Sequence, residues 1–342
     1  MSSPPNFSVS IVLPTCDRAE ITRRCLDALA AQTFPDLEII VVDDGSRDET
    51  PAMLEAFAAE HPDLRLVVLR NETNRGANES RNRGVQAAGG DLVAFLDSDC
   101  IAEPDWIEQL VAGFSDPSVG AVTGLVLDPP PRSIYDLTFR GTHRVAKAGP
   151  ARRLVAGNLC VRREPLLACM WAEDGQRPPK RADGQPDVSF SGACDEESLA
   201  IDLAAAGWTL LARPEAVVLH EHHYDRRSFF RQAYHGGRAA ADFVRRHRLP
   251  HRIDMIPFML AWGTLPPAAV AAAFLGGWPL LVPAAFLSLA IAAITYNDLA
   301  LKGKTVGETL RSFPVLLAYY HVRLLGYLRI MLQPRRPRRT PG

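Results

Sequence analysis

Short apolar runs alternate with amphipathic stretches through the first third of the chain. Four runs of four to six residues are rich in Val, Ile and Leu, at residues 8–13, 37–42, 66–69 and 92–96. Runs of this length and composition suit strands that are buried on both faces. Between the first two runs, Ile21, Cys25 and Leu29 recur at helical spacing. Strands that alternate with helices predict an α/β fold with a doubly wound, mostly parallel sheet.

Acidic residues follow two of these runs directly. Asp43 and Asp44 come after residues 37–42, and Asp97 and Asp99 come after residues 92–96. Ligands bind open α/β sheets in the crevice outside the carboxyl ends of the strands. Two carboxylates one residue apart also suit a hard divalent cation, which prefers oxygen ligands. A helix cap or a turn is the alternative for each acidic pair.

The second part of the chain has a different character. Residues 1–225 hold 21 basic and 35 acidic residues, a net charge of −14, whereas residues 226–342 hold 17 basic and 4 acidic, a net charge of +13. Residues 255–297 contain no Asp, Glu, Lys or Arg over 43 positions (297 − 255 + 1). One membrane span needs about 20 apolar residues. The pattern predicts a C-terminal α-helical membrane hairpin of two transmembrane helices, with a buried soluble hairpin as the alternative.

Both flanks of this apolar stretch are basic. Residues 226–254 form a basic juxtamembrane segment, and residues 298–342 form a basic interfacial helix and tail. The positive-inside rule puts both flanks in the cytoplasm, which predicts a multi-pass protein of the inner membrane. Within the tail, residues 313–332 suit an interfacial helix better than a third span. The arginines favour membrane lipid as a partner and not nucleic acid.

The six cysteines show no C-x-x-C pairing, so no zinc site is expected, and most fit small core positions in a reducing compartment. The first residues resemble no signal peptide. Residues 1–225 are therefore expected to stay in the cytoplasm.

Several motifs in a fixed order now make a resemblance specific. They are Pro14-Thr15, Asp43-Asp44-Gly45-Ser46, Asn74 with Gly76, Arg81-Asn82 with Gly84, and Leu96-Asp97-Ser98-Asp99. Their order resembles the family 2 glycosyltransferases, whose nucleotide-sugar domain has the GT-A fold. The resemblance covers roughly residues 8–225, and it implies a GT-A domain over residues 1–225.

The resemblance implies roles for individual residues. Those expected to bind the nucleotide sugar are Pro14, Thr15, Asp17, Asp44, Arg81, Asp97 and Ser98. Those expected to bind a divalent metal, Mg²⁺ or Mn²⁺, are Asp97, Asp99 and His220. Alternatives remain for three of them: Asp17 can be a helix cap with Glu20, Arg81 a solvated helix residue, and His220 a structural histidine.

The acceptor half of the resemblance centres on residues 195–199. Counting back from Leu199 places Glu196 at the position of the family's general base, with Asp195 as the fallback. A carboxylate is adequate because the proton can leave late, as charge develops on the attacking oxygen. The acidic order is inverted relative to the family, and Asp202 stands where arginine is common. An acidic helix N-terminus is the alternative.

Two further stretches are assigned to the acceptor side. Gly157 and Asn158 resemble the segment beneath the acceptor. Residues 172–190 are rich in Pro, Gly and charge, and they suit either a lid near the site or a passive surface insertion.

Together these features imply an inverting glycosyltransferase, similar to bacterial rhamnosyltransferase-like and other cell-envelope enzymes. It would move a hexosyl or deoxyhexosyl group from a nucleotide-diphosphate sugar to a hydroxyl of a lipid-linked glycan. The Gln-x-x-Arg-Trp motif of processive synthases is missing, so one sugar per encounter is expected. A polyprenyl-phosphate sugar synthase and a non-catalytic membrane scaffold are the alternatives. The sequence leaves the donor, the acceptor and the oligomeric state open.

Overall fold

The computed structural model describes residues 7–140, 147–151, 153–169, 195–246, 256–275, 277–296, 299, 302 and 304–332. The predicted lid, residues 172–190, lies outside these ranges. The chain divides into two compact units. The first comprises Met1–Pro129 and His143–His222, and the second comprises Pro130–Thr142 and His223–Gly342.

Nine strands form the sheet of the first unit within the described ranges. They are β1 Val9–Thr15, β2 Leu37–Asp43, β3 Arg65–Arg70, β4 Leu92–Leu96, β5 Cys100–Ala102, β6 Val119–Leu127, β7 Gly149–Pro150, β8 Asn158–Arg162 and β9 Thr209–His220. The four predicted strands are confirmed as β1 to β4.

The sheet has the order β3-β2-β1-β4-β8-β6-β9-β5, with β7 beside β9. The pairs among β3, β2, β1 and β4 are parallel, as predicted. Beyond β4 the sheet is mixed, because β8 runs antiparallel to both β4 and β6, and β5 runs antiparallel to β9. A mostly parallel sheet is thus correct for the first half only.

Helices of the first unit cover both faces of this sheet. They are α1 Ala19–Ala30, α2 Thr50–Glu60, α3 Ala77–Ala87, α4 Trp106–Val111, α6 Arg163–Cys169 and α7 Asp195–Ala205, while α5 Ile134–Phe139 belongs to the second unit.

Alternate residues of the central strand β1 face opposite cores, as the period of a strand requires. Ile11 and Leu13 lie in one core with Leu26 of α1, whereas Val12 lies in the other with Val85 of α3. The two faces of the strand are therefore largely apolar, and the acidic residues of the candidate site lie at its carboxyl end.

The second unit is helical within the described residues. Besides α5 it contains α8 Arg226–Arg246, α9 Ile256–Leu275, α10 Leu281–Tyr296 and α11 Val306–Met331. Gly237 of α8 lies against the backbone of Arg323, and Gly326 of α11 lies against that of Tyr234. These glycines let the two helix backbones approach closely, because a Cβ at either position would clash.

The predicted membrane hairpin over residues 255–297 is not supported. Among the helices within the described ranges, none combines the length and apolar character that a membrane crossing requires. Two helices do form there, but α10 has 16 residues, fewer than the roughly 20 of a span. The predicted helix at residues 313–332 is the later part of α11, which begins at a capping box of Thr305 and Glu308.

Candidate functional site

A short link between two strands carries the carboxylate pair. Strand β4 ends at Leu96 and β5 begins at Cys100, so Asp97, Ser98 and Asp99 are the whole connection. The carbonyl of Asp97 accepts a hydrogen bond from the Cys100 amide at 2.9 Å, and that of Asp99 accepts one from Glu221 at 2.7 Å. Ser98 and Asp99 are buried, whereas the Asp97 side chain is 34% exposed.

Three cationic or ionisable side chains surround the carboxylate of Asp99. Arg18 Nη1 lies 2.8 Å from Oδ2, and His222 Nδ1 lies 3.4 Å from the same oxygen. His220 Nε2 lies 3.5 Å from Oδ1. Burial alone would raise the pKa of Asp99, but the hydrogen bonds from both histidines and the charge of Arg18 hold this pKa far below its usual range. Asp99 is therefore a fixed anion.

His220 lies in the same environment, but its pKa shifts in the opposite direction. Burial would lower its pKa, but the hydrogen bond and charge of Asp99, with further negative charge from Asp97 and Asp128, raise the pKa of His220 above its ordinary value. A ring that faces a carboxylate suits a metal ligand and also a structural ion pair, so both interpretations of His220 stay open.

Asp97 faces a different cation. Arg81 of α3 places Nη2 2.5 Å from Asp97 Oδ1, and Nη1 donates to Asn78 Oδ1 at 3.1 Å. Gly157 lies on the other side of Asp97, since a Cβ there would approach Asp97 Oδ2 to 2.9 Å. Arg81 is mostly buried, so it is not the solvated helix residue of the alternative interpretation.

The donors at this point suit a divalent cation. One ligand atom each from Asp99, Cys100 and His220 lie within 4.8 Å of one another. Carboxylate oxygens are what Mg²⁺ and Mn²⁺ prefer, and imidazole is an acceptable additional ligand. Burial, together with Asp97 and Asp99, raises the pKa of the Cys100 thiol well above its ordinary value, so a hard cation has little use for it. Of the predicted metal ligands, Asp99 and His220 belong to this group of atoms, whereas the Asp97 carboxylate is paired with Arg81.

Asp44 organises the loop that follows β3. Its carboxylate accepts hydrogen bonds from Asn71 Nδ2 at 2.7 Å and from the amides of Arg75 and Gly76 at 2.9 and 2.7 Å. These bonds lower the pKa of Asp44 although burial opposes the shift. Gly76 has φ of 93°, a conformation that favours glycine. The predicted contact of Asp44 with the nucleotide sugar stays a prediction, and the carboxylate also serves these three donors of its own chain.

The end of β1 is tied to this loop. Pro14 and Thr15 continue the strand and are buried, and Thr15 Oγ1 lies 2.7 Å from Thr22 Oγ1. The Thr15 carbonyl accepts a hydrogen bond from the Asp44 amide at 2.8 Å. Both predicted residues thus lie at the carboxyl edge of the sheet, beside the site.

Asp17 fixes the turn into α1. It has φ of 51°, its amide donates to Ser46 Oγ at 2.9 Å, and its Oδ1 accepts from the Arg47 amide at 2.7 Å. The alternative of a helix cap for Asp17 is wrong, because Arg18 is the N-cap residue and the first amide of α1, that of Ala19, donates to Asp48 Oδ2 at 3.3 Å. The turn instead directs Arg18 towards Asp99.

Glu196 is the second residue of α7 and is partly buried. Burial raises its pKa, the negative charges of Glu197 and Asp97 add to the rise, and Arg81 opposes it. The charges of both Asp97 and Arg81 therefore act on the Glu196 carboxyl. Asp195, the fallback base, begins α7, but its side chain lies outside the described residues.

Asn158 holds the sheet together from within. Its side chain is fully buried, accepts from Trp106 Nε1 at 2.8 Å, and donates to the carbonyls of Leu125 and Ala216 at 3.0 and 2.9 Å. Every polar atom of the amide has a partner inside the protein. The Asn158 side chain is thus fully engaged inside the protein, and Gly157 lies beside Asp97. Contact of either residue with an acceptor stays a prediction.

Sequence reasoning missed Arg18 and Cys100 as residues of the site. Arg18 gives no local signal beyond its position just after β1, at the strand edge where ligands bind. Cys100 directly follows Asp99, but only its pairing across the sheet brings it to His220. His223, grouped with His220 in the sequence, belongs to the second unit, where Nδ1 lies 3.1 Å from Asp136 Oδ2.

Residues 10–141 match the family model described as Glycosyl transferase family 2. The matched stretch contains the Asp97 and Asp99 pair, Asp44 and Arg81, whereas Glu196 and His220 lie beyond it.

Relatives extend the similarity further. A pre-mycofactocin glycosyltransferase of Mycobacterium tuberculosis is 29% identical over 77% of this chain and 52% of its own length. A glucosyl-dolichyl phosphate glucuronosyltransferase of Haloferax volcanii is 38% identical over 35% of this chain and 39% of its own. The chain thus spans about half the length, or less, of these curated relatives.

A solved structure shares the fold. It is the mannosyltransferase PcManGT of Pyrobaculum calidifontis in complex with GDP-Man and Mn²⁺, with a TM-score of 0.59, 22% identity, and coverage of 95% of this chain and 89% of that one. The mixed α/β architecture with its central sheet therefore fits the GT-A glycosyltransferase fold.

Proposed function

We propose that the protein is an inverting, metal-dependent glycosyltransferase that moves a sugar from a nucleotide-diphosphate sugar to an acceptor hydroxyl. The observation that carries the proposal is the Asp97 and Asp99 pair at the carboxyl edge of the sheet, with Arg18 and Arg81 on the two carboxylates. Carboxylates and guanidinium groups together suit a diphosphate and its cation.

Asp97, Asp99 and His220 would hold Mg²⁺ or Mn²⁺. When bound, such a cation neutralises the charge that develops on the leaving diphosphate. Arg18 and Arg81 lie where they can take over part of that neutralisation, because each already faces one of the carboxylates. The chain thus supplies two anions for the cation and two cations for the phosphates.

Glu196 is the proposed general base. It would remove the proton of the acceptor hydroxyl while the oxygen attacks the anomeric carbon from the side opposite the diphosphate, which inverts the configuration. The raised pKa of Glu196 supports this role, since a base poised closer to neutral pH takes up a proton more readily. Asp195 remains the fallback.

The finer identity of the substrates is also a proposal. The PcManGT complex contains GDP-Man, so hexosyl donors lead the panel, with deoxyhexosyl donors beside them. A lipid-linked or cell-envelope glycan is the proposed acceptor, and the Haloferax relative named for glucosyl-dolichyl phosphate supports it. Pre-mycofactocin belongs in the acceptor panel because another relative is named for it.

The place of action stays a prediction. We propose that the protein works on the cytoplasmic side of the inner membrane. The surplus of +13 over residues 226–342 supports attraction to anionic lipid, and it does so without the transmembrane hairpin.

The test measures donor hydrolysis and sugar transfer by the full chain over a panel of UDP-, GDP- and dTDP-sugars with Mg²⁺ or Mn²⁺. Glu196→Gln should lower transfer by about 10²- to 10⁴-fold and still bind donor, as expected for a lost general base. Asp99→Ala should lose both transfer and metal-dependent donor binding. Glu197→Gln is the matched control, because it removes the neighbouring carboxylate and should keep most activity.

Three outcomes would change the assignment. Normal turnover by Glu196→Gln would move the base to Asp195. A phosphodiester product instead of a glycoside would identify a polyprenyl-phosphate sugar synthase. Donor binding without turnover on any acceptor would support the non-catalytic scaffold.

A further inference from the structure

A thiol lies inside the proposed metal site. Cys100 of β5 and His220 of β9 are directly paired positions of two antiparallel strands. Side chains at paired positions point to the same face of a sheet and lie close together. Cys100 therefore faces the same side as the histidine that contacts Asp99.

The orientation of the sulfur agrees with this pairing. A Cβ added to Gly157 would lie 3.6 Å from Cys100 Sγ and 2.9 Å from Asp97 Oδ2. The sulfur and the Asp97 carboxylate thus border the same small space. Ligand atoms of Asp99, Cys100 and His220 are within 4.8 Å of one another, a separation that one ion can bridge.

This combination of donors has a chemical preference. Mg²⁺ takes oxygen ligands almost exclusively, whereas Zn²⁺ and Cd²⁺ favour thiolate and imidazole beside a carboxylate. Three protein ligands also leave the fourth position of a tetrahedral ion open. The proposed transferase chemistry uses Asp99 and His220 but has no use for the sulfur.

We propose that Asp99, Cys100 and His220 form a mixed oxygen, sulfur and nitrogen site for a soft divalent cation such as Zn²⁺ or Cd²⁺. The ion binds as the thiol gives up its proton to solvent, so one metal–sulfur bond forms and one S–H bond breaks. Arg18 leaves Asp99 in the same step. Since the ion occupies Asp99 and His220, it excludes the Mg²⁺ or Mn²⁺ of the proposed transferase; this second part rests on the proposed function.

The first test titrates the reduced full-length chain with Cd²⁺ and follows the ultraviolet charge-transfer absorption of the cadmium–thiolate bond. Cys100→Ser should abolish the band that saturates first, and His220→Ala should weaken Cd²⁺ binding by more than about tenfold, since even second-shell changes cost 10- to 100-fold. Cys16→Ser is the matched control, because Cys16 is a partly exposed thiol near Asp44. If the band that saturates first is still present in Cys100→Ser, the proposal is overturned.

A measurement on the unaltered chain guards against a misfolded variant. X-ray absorption with one equivalent of Zn²⁺ should show one sulfur at about 2.3 Å in addition to nitrogen and oxygen. A shell of nitrogen and oxygen alone would overturn the site. Neither measurement needs a donor or turnover, so each judges the thiol site apart from the transferase.

Competition tests the second part. The electron paramagnetic resonance signal of free Mn²⁺ should rise when Zn²⁺ is added to the Mn²⁺-loaded chain, and Cys100→Ser should raise the Zn²⁺ concentration required by more than about tenfold. Simultaneous binding of both ions would overturn the exclusion. If the chain binds no Mn²⁺ at all, the metal-dependent transferase fails, while the cadmium band still decides the soft site.

Discussion

Arg18 and Asp99 form an ion pair across 81 positions of the chain, with Nη1 2.8 Å from Oδ2. The two partners differ in freedom, because the Asp99 side chain is 8% exposed and that of Arg18 is 44% exposed. The Asp99 carboxylate is buried in the link between β4 and β5, whereas the Arg18 guanidinium can move into water. A fixed anion with a movable cation is a site where another cation can enter by exchange.

Arg18→Gln should therefore tighten Mn²⁺ binding. The entering ion no longer competes with the guanidinium, and a half-exposed ion pair is worth up to about 1 kcal/mol, so we expect a gain of roughly two- to fivefold. Titration followed by the resonance of free Mn²⁺ measures it. Arg23→Gln, which breaks surface pairs with Asp27 and Glu60, should leave the affinity unchanged. Weaker binding by Arg18→Gln would contradict the exchange.

Gly157→Ala should impair the metal site without unfolding the protein. The new methyl would lie 2.9 Å from Asp97 Oδ2, so the carboxylate must turn away. We expect Mn²⁺ affinity to fall by at least about tenfold, a loss of roughly 1.4 kcal/mol. Gly89→Ala is the control, since its Cβ would meet only Glu38 Oε1 at an ordinary 3.5 Å. Equal affinities for the two variants would show that Asp97 does not bind the ion.

Asn158→Ala should act on stability and not on the acceptor. It leaves the Trp106 indole and the carbonyls of Leu125 and Ala216 without the partners they have now. Buried polar groups that lose their partners cost about 1–3 kcal/mol each, so we expect the free energy of unfolding to fall by about 2–4 kcal/mol. Urea denaturation measures the loss, with exposed Asn74→Ala as the reference. An unchanged midpoint with a raised acceptor KM would restore the acceptor role.

The pH dependence of transfer should report Glu196. Burial raises the pKa of this carboxyl above the ordinary 4.5. A general base must be deprotonated, so kcat/KM should fall as the pH drops through the raised pKa, and the acid limb should lie above 4.5. Glu197→Gln removes a negative neighbour that contributes to the rise, so it should move the limb to lower pH. A limb at or below the ordinary value would assign the base elsewhere.

The sequence predicts the buried strands well and their long-range neighbours poorly. The run at residues 92–96 and the strand β6 have clear apolar patterns, because burial on both faces is a local property. The insertion of β8 between β4 and β6 depends on pairing between distant segments, which no local pattern records. The absence of charge at residues 255–297 likewise says nothing of where helices end there.

The same distinction between local and long-range features applies to the residues of the candidate site. Asp97 and Asp99 are predictable because they follow a buried strand directly. Arg18 and Cys100 are not, since one reaches the site through the turn at Asp17 and the other through its pairing with His220. Asn158 resembles part of an acceptor segment, and the sequence does not show its three internal hydrogen bonds, which join distant segments.

The three-residue link from Asp97 to Asp99 joins strands that pair in different parts of the sheet: β4 lies between β1 and β8, and β5 lies at the edge beside β9. Chimeras that exchange the N-terminal part of this chain for that of a relative therefore cannot be joined within the link from Asp97 to Asp99. A junction there would take β4 from one protein and β5 from the other. The distance between the two carboxylates would then match that of neither protein. A junction after β6 keeps the link with β1 and β4. Strands β8 and β9 would then come from the other protein, although they pair with β4 and β6. Exchange of donor specificity by domain grafting has to move these strands as one piece.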